Sequence, residues 1–141
     1  MKTIQSRFGE LTYDPEKTLL FPQGLIGFEH LREFVVMPNE GDDPLFCIQS
    51  VDDPRFAFLL TDPRRYFPSY TVAPSGQDRV EIGIGPDDEC LVLAMITVHL
   101  DKSVTLNLAA PVFYAPATDR AIQVVLEGMN YSARTPVGHG E

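Results

Sequence analysis

The chain has 141 residues, 44% of them hydrophobic and 22% charged, with 20 Asp and Glu against 11 Lys and Arg for a formal charge of −9. That length suits one domain with one core, and nine Phe with five Tyr give it enough to bury, which excludes disorder of the whole chain. The charge excludes a general basic surface for nucleic acid, disfavours an anionic membrane, and would steer a basic protein partner toward the chain.

No apolar run approaches the roughly 18 residues of a membrane span. The N-terminal MKTIQSRFGE lacks the apolar stretch of a signal peptide, so a cytoplasmic location is expected. The apolar periodicity is mainly that of strands. In chain order the expected strands are 2–6, 9–13, 18–21, 33–37, 45–50, 56–61, 91–98, 104–108, 111–114 and 121–126. The stretch 120–126 is the best helical candidate, but its β-branched Ile122, Val124 and Val125 fit a strand at least as well.

Asp-Pro recurs at Asp14-Pro15, Asp43-Pro44, Asp53-Pro54 and Asp62-Pro63. Asp can accept from its own backbone two residues on, and Pro presets φ for a turn. The last three repeats have the cadence of a strand–turn–strand meander. Leu91–Val98 (LVLAMITV) is apolar on both faces, so it is expected to be central, inside a barrel or under a covering element. Between Tyr70 and Pro86, Val80, Ile82 and Ile84 alternate like a strand, yet a short helical turn is equally open. Residues 1–131 form the expected domain, and 132–141, with almost nothing apolar, the expected mobile tail. The resulting fold class is all-β: a small antiparallel, partly closed barrel-like domain with at most short helical turns.

Catalytic spacing is scarce. No phosphate-binding loop or nucleophile elbow is present, and Gly83-Ile84-Gly85-Pro86 lacks the third glycine of a dinucleotide fingerprint. His30, His99 and His139 are far apart with no ligand at metal spacing, and Cys47 and Cys90 read as buried, reduced thiols. No cofactor or metal is therefore expected. Glu40, Asp42 and Asp43, Asp52 and Asp53, and Asp87, Asp88 and Glu89 cluster beside Pro or Gly. Neighbours on an extended chain point to opposite faces, so these read either as solvated turn acids or as an acidic rim for a basic protein.

The segment Phe21-Pro22-Gln23-Gly24-Leu25-Ile26-Gly27-Phe28-Glu29 is apolar yet holds a Pro and two Gly. Two accounts stay open: a buried loop needing φ > 0 at Gly24 and Gly27, or an exposed apolar contact loop.

This segment resembles the N-terminal signature of the flagellar assembly factor FliW family. The likeness continues in order through Leu45–Ser50 with Asp52-Asp53-Pro54, Phe56-Ala57-Phe58 with Asp62-Pro63, Tyr66–Tyr70, Thr105–Val112, and Gln123–Leu126 with Tyr131. Residues 73–86 depart most, because PSGQDRVEIG contains Gly where that family usually carries a helical, acidic piece. The resemblance implies a barrel-like, non-enzymatic regulator. Such a protein binds flagellin in the cytoplasm and allosterically antagonises the RNA-binding translational repressor CsrA, without itself contacting nucleic acid or membrane. The alternative is a split-barrel protein holding a small molecule or cofactor, which would need a pocket of about 300 Å³ or more with convergent polar groups. Partner contacts are expected at Leu25, Ile26, Asp42, Asp43, Asp87, Asp88, Glu89 and Asn107, with Gly24 and Gly27 conformational. Asn107 is further expected to end a strand and to hold a neighbouring loop through its amide, with Pro111 at an edge or bend.

Overall fold

The computed structural model describes residues 1–6, 9–38 and 45–137. Its strands are β1 (Lys2–Ser6), β2 (Gly9–Tyr13), β3 (Leu19–Leu20), β4 (Glu33–Pro38), β5 (Leu45–Ser50), β6 (Ala57–Thr61), β7 (Leu91–Val98), β8 (Val104–Leu106), β9 (Val112–Ala115), β10 (Arg120–Gln123) and β11 (Thr135–Pro136). A 3-10 turn (Pro63–Arg65) and one short helix, α1 (Gly76–Glu81), lie between β6 and β7.

The hairpin β1–β2 forms its own two-stranded sheet. The large sheet runs β11-β8-β7-β6-β5-β4-β3-β10-β9, and a further pairing of β9 with β7 closes seven of its strands into a barrel. All these pairings are antiparallel except β3 with β10, which run parallel. The seam there is one matched pair, Leu20 with Arg120, fastened by the Leu20 amide donating to the Asp119 carbonyl at 2.9 Å. Closure joins the ends of those seven strands to each other and leaves β11 as the terminal strand of the large sheet. β7 reaches it by splitting its length: Leu91–Leu93 pair with β9, and Ile96–Val98 with β8.

Alternation along the strands sends one set of side chains inward. Leu19, Phe34, Ile48, Leu60, Leu93, Val112 and Ala121, one from each barrel strand, meet in the interior with Phe21, Leu25 and Leu31. The opposite faces of β7, β9 and β10 are also covered. Phe113, Ala115 and Ile122 pack with Ile82 and Ile84, and Ala94 and Leu106 pack with Tyr70 and Leu108. The long β6–β7 connection thus lies as a coat on the barrel wall, which explains a strand apolar on both faces: the interior takes one side of β7 and the coat the other.

The open choice over Tyr70–Pro86 resolves as helix followed by turn. Ser75 accepts from the Asp78 amide at 3.0 Å while Asp78 accepts from the Ser75 amide at 2.9 Å, so two otherwise unpaired helix-end donors are satisfied reciprocally. Ile82 and Ile84 then turn onto the barrel wall and are buried. The boundary drawn at residue 131 needs correction. Thr135 and Pro136 pair with β8, the Val137 amide donates to the Val104 carbonyl at 3.0 Å, and Val137 packs beside Tyr70 and Leu106. A short polar strand was invisible to apolar alternation.

Tyr70 pins the coat to the barrel. Its hydroxyl donates to the Leu108 carbonyl at 2.7 Å, and its ring meets Tyr131 edge-on at 4.7 Å. Burial, with the neighbouring Tyr131, pushes its pKa up to about 12. A phenol held neutral in the folded state supports folding fully below its ordinary pKa near 10 and loses that support as pH rises through about 12. The melting temperature is therefore expected to fall between pH 10 and 12, and Tyr70→Phe should flatten part of that fall. Near neutral pH the same variant should lose about 1 kcal/mol with its hydrogen bond, read from urea unfolding.

Candidate functional site

One end of the barrel is plugged by residues 21–31. Two successive turns shape the plug. The Gly24 amide donates to the Phe21 carbonyl at 2.8 Å, and Leu25 and Phe28 pair across a turn whose corners are Ile26 and Gly27. Both glycines are left-handed, with φ of +72° at Gly24 and +84° at Gly27. At Gly24 there is a second constraint, since a Cβ would run into the backbone of Glu29 at its carbonyl. The Glu29 carboxylate accepts from the Gly27 amide at 2.9 Å, and this bond holds its pKa below the usual carboxylate range.

The plug separates two residues expected to lie together at a partner surface. Leu25 is only 1% exposed and packs in the barrel core, so its surface placement is corrected; Ile26, at the turn apex, is 45% exposed. The reason is the turn itself, which faces consecutive residues in opposite directions. Phe28 stays half-buried against Phe56 and Phe58, with ring centroids 5.2 and 5.7 Å away. Gln123, singled out in the sequence only as part of a family-like segment, ties this plug to β10. Its Oε1 accepts from the Ile26 amide at 3.0 Å, and its Nε2 donates to the Ala110 carbonyl at 3.2 Å. Beyond that likeness, its sequence signal was one polar residue in the apolar run 121–126.

Asn107 follows β8, and its Oδ1 accepts from the Ala110 amide at 3.0 Å. The amide holds its own turn rather than a neighbouring loop. Pro111 is buried where the chain enters β9, and its carbonyl accepts from the Val124 amide at 3.0 Å.

The acids divide by task. Asp14, Asp53 and Asp62 each accept from the amide two residues on, at 2.9, 3.1 and 2.9 Å, the turn chemistry expected of Asp-Pro. Asp52 accepts from the Arg32 and Glu33 amides, each at 2.8 Å, and so fixes the start of β4. Asp88 accepts from the Gly85 amide at 2.8 Å. Asp87 and Glu89 are exposed beside it. Glu40, Asp42 and Asp43 lie outside the described residues.

Among the described residues nothing covers the end opposite the plug. Leu19, Val36, Phe46, Leu91, Leu93 and Tyr114 line a hollow of about 160 Å³ with almost no polar surface. Larger hollows, up to about 500 Å³ between β2 and β4, lie open on the outer surface. Among the described residues no three His, Cys, Asp or Glu side chains gather as metal ligands, and no helix is long and apolar enough to cross a membrane. Cys47 and Cys90 are half-buried, not fully buried as expected, and burial pushes the Cys90 thiol up from its ordinary value.

Together these features define a small closed barrel whose interior is packed with side chains. Its distinctive surfaces are the plug loop at one end and the apolar hollow at the other. The family model "FliW protein" matches residues 2–137. The chain is 58% identical over 136 residues to the flagellar assembly factor FliW of Syntrophotalea carbinolica, covering 96% of this chain and 97% of that one. It is 51% identical over 137 residues to flagellar assembly factor FliW 2 of Desulfotalea psychrophila, covering 97% and 91%. A crystal structure of the flagellar assembly factor FliW superposes with a TM-score of 0.86 over 99% of both chains at 25% identity. The chain belongs to the FliW family.

Two substitutions separate the plug's interior from its apex. Leu25→Asp places a charge in the apolar core and should unfold the domain, whereas Ile26→Asp should shift the melting temperature by no more than a degree or two. Gly24→Ala combines a left-handed alanine with the Glu29 clash and should cost more than the roughly 1–2 kcal/mol of left-handed strain alone. Thermal melting and chemical denaturation of the three variants read these outcomes.

Proposed function

We propose that this chain is a cytoplasmic, non-enzymatic adaptor that binds flagellin and antagonises a CsrA-type RNA-binding translational repressor, so that flagellin synthesis follows flagellum assembly. The observation that carries this reading is the end-to-end match to flagellar assembly factors, 58% identical to one of them. The molecule's chemistry supports it. The interior is filled except at one apolar end too small for a cofactor and without convergent polar groups, which disfavours the ligand-binding barrel. A formal charge of −9 suits attraction of a basic repressor.

Affinity capture from cytosol with the whole chain as bait should recover flagellin and the repressor, each displacing the other's share. Recovery of neither would overturn the proposal. Antagonism through a separate site has a thermodynamic signature: RNA must weaken adaptor binding to the repressor by the same factor as the adaptor weakens RNA binding. Titration of each pair with and without the third component measures both factors.

Charge makes a second prediction. With a screening length of about 8 Å at 0.15 M salt, added salt should slow association with the repressor more than it speeds dissociation. Converting Asp87 to Asn and Glu89 to Gln should reproduce part of the slowing at low salt without loss of stability, since both are exposed. Stopped-flow association rates at several salt concentrations provide the check.

A further inference from the structure

We propose that the open end of the barrel is a socket for one large apolar side chain, aromatic or branched, presented by a cationic segment of a partner protein. The inference stands on the cavity and its rim, and goes beyond the reading above in assigning a site and the chemistry of what enters it.

The socket follows from how the barrel is filled. At the plugged end Leu25 and Phe28 complete the core, but at the other end the inward side chains of the strands are left without a covering residue among those described. Val36, Phe46 and Leu91 on its rim are 42%, 37% and 39% exposed, an unusual position for inward-facing residues of a closed barrel. The hollow of about 160 Å³ matches the size of apolar cavity, roughly 150 Å³, that stays dry and takes up benzene. One phenyl or branched aliphatic group therefore fits, and a larger cofactor does not.

The rim selects the charge of what surrounds that group. Tyr114 lines the hollow and pairs with Leu91 across the strands. Its hydroxyl donates to Asp119 Oδ1 at 2.7 Å, which anchors a carboxylate at the lip and leaves Oδ2 without a hydrogen-bond donor among the described residues. Asp87, Asp88 and Glu89 precede β7 by one residue, Cys90, and β7 begins at the rim residue Leu91. Arg64 is the cation of the adjoining hollow, which also contains Asp62, Phe46 and Leu91. A Lys or Arg beside the apolar anchor would pair with Asp119 Oδ2. A second copy of this chain brings another −9, and an anionic lipid surface is likewise repelled, so a cationic partner segment is the occupant the charges favour. Residues 138–141, Gly-His-Gly-Glu, carry no large apolar side chain.

The probe is the acetylated, amidated pentapeptide Lys-Lys-Phe-Lys-Lys, titrated into methyl-labelled protein and followed by NMR. Saturable shifts at Val36, Leu91 and Leu93 are expected, with affinity at least tenfold weaker when Ala replaces Phe or when Glu replaces every Lys. Leu91→Asp and Val36→Asp, at exposed rim positions, should each remove the preference for Phe without moving the melting temperature. Asp119→Asn keeps an acceptor for Tyr114 and should weaken the pentapeptide several-fold while leaving benzene binding unchanged. Equal binding of the Phe and Ala peptides, or shifts confined to other surfaces, would overturn the socket. An Asp119→Asn variant with unchanged peptide affinity would overturn the cation pairing. Self-association in sedimentation, or capture by phosphatidylglycerol vesicles, that Leu91→Asp abolishes would assign the opening to a second copy or a membrane and refute the proposal.

Discussion

The backbone at Gly24 passes so close to the Glu29 carbonyl that no side chain can stand there. Much of the barrel depends on that approach. It folds residues 21–31 back on themselves tightly enough for Leu25 to enter the core while Ile26 stays in water. Without Leu25, Phe28 and Leu31 the barrel would be open at both ends, and Phe21 and Phe34, whose rings meet edge-on at 5.3 Å, would lose their cover. The plug is also the point where distant parts of the chain are joined. Gln123 on β10 accepts from the Ile26 amide, so the last barrel strand and the first long loop hold each other.

The two barrel ends therefore differ in kind. One is sealed by a loop whose conformation two glycines permit and one glutamine fixes. The other is bounded by strand ends, with Tyr114 and Asp119 joined at its lip. Burial and then the Asp119 bond raise the Tyr114 pKa to about 12, so the phenol at this lip stays neutral across the physiological range. Asp119 itself sits at φ +53°, a conformation Asp tolerates better than most residues, and its carbonyl closes the parallel seam. A single residue thus serves both barrel closure and the character of the open end.

Much of this was legible in the sequence because strand alternation and turn chemistry are local. β1, β2, β5 and β7 begin and end where the apolar pattern does, and three Asp-Pro pairs make the turns their side chains allow. What the sequence could not supply was non-local. The Leu20–Arg120 seam joins residues a hundred positions apart, and nothing in either strand announces a parallel neighbour. Leu25 and Ile26 are equally apolar, and only the turn decides which is buried. The α1 segment carried both a strand's alternation and a capping box; the box prevailed because it satisfies amide donors at once, while Ile82 and Ile84 still found apolar contacts on the barrel wall. β11 was missed because its pairing rests on backbone bonds to β8 and on Val137 alone.

The acidic surface is often treated as either structural or functional, but here the two roles do not compete. A carboxylate that accepts backbone amides is held in its charged form. Asp53, bonded first to the Arg55 side chain and then to its amide, has its pKa lowered to about 2; Glu29 and Asp101, bonded to Gly27 and Ser103, also lie below the ordinary range. The residues that shape turns therefore keep contributing to the −9 field wherever a partner approaches from. Local hydrogen bonding takes away their freedom to move, not their charge. Long-range attraction can thus be spread over turns around the barrel, while distinct shape is confined to a few surfaces of the described residues: the Ile26 apex and the uncovered apolar end.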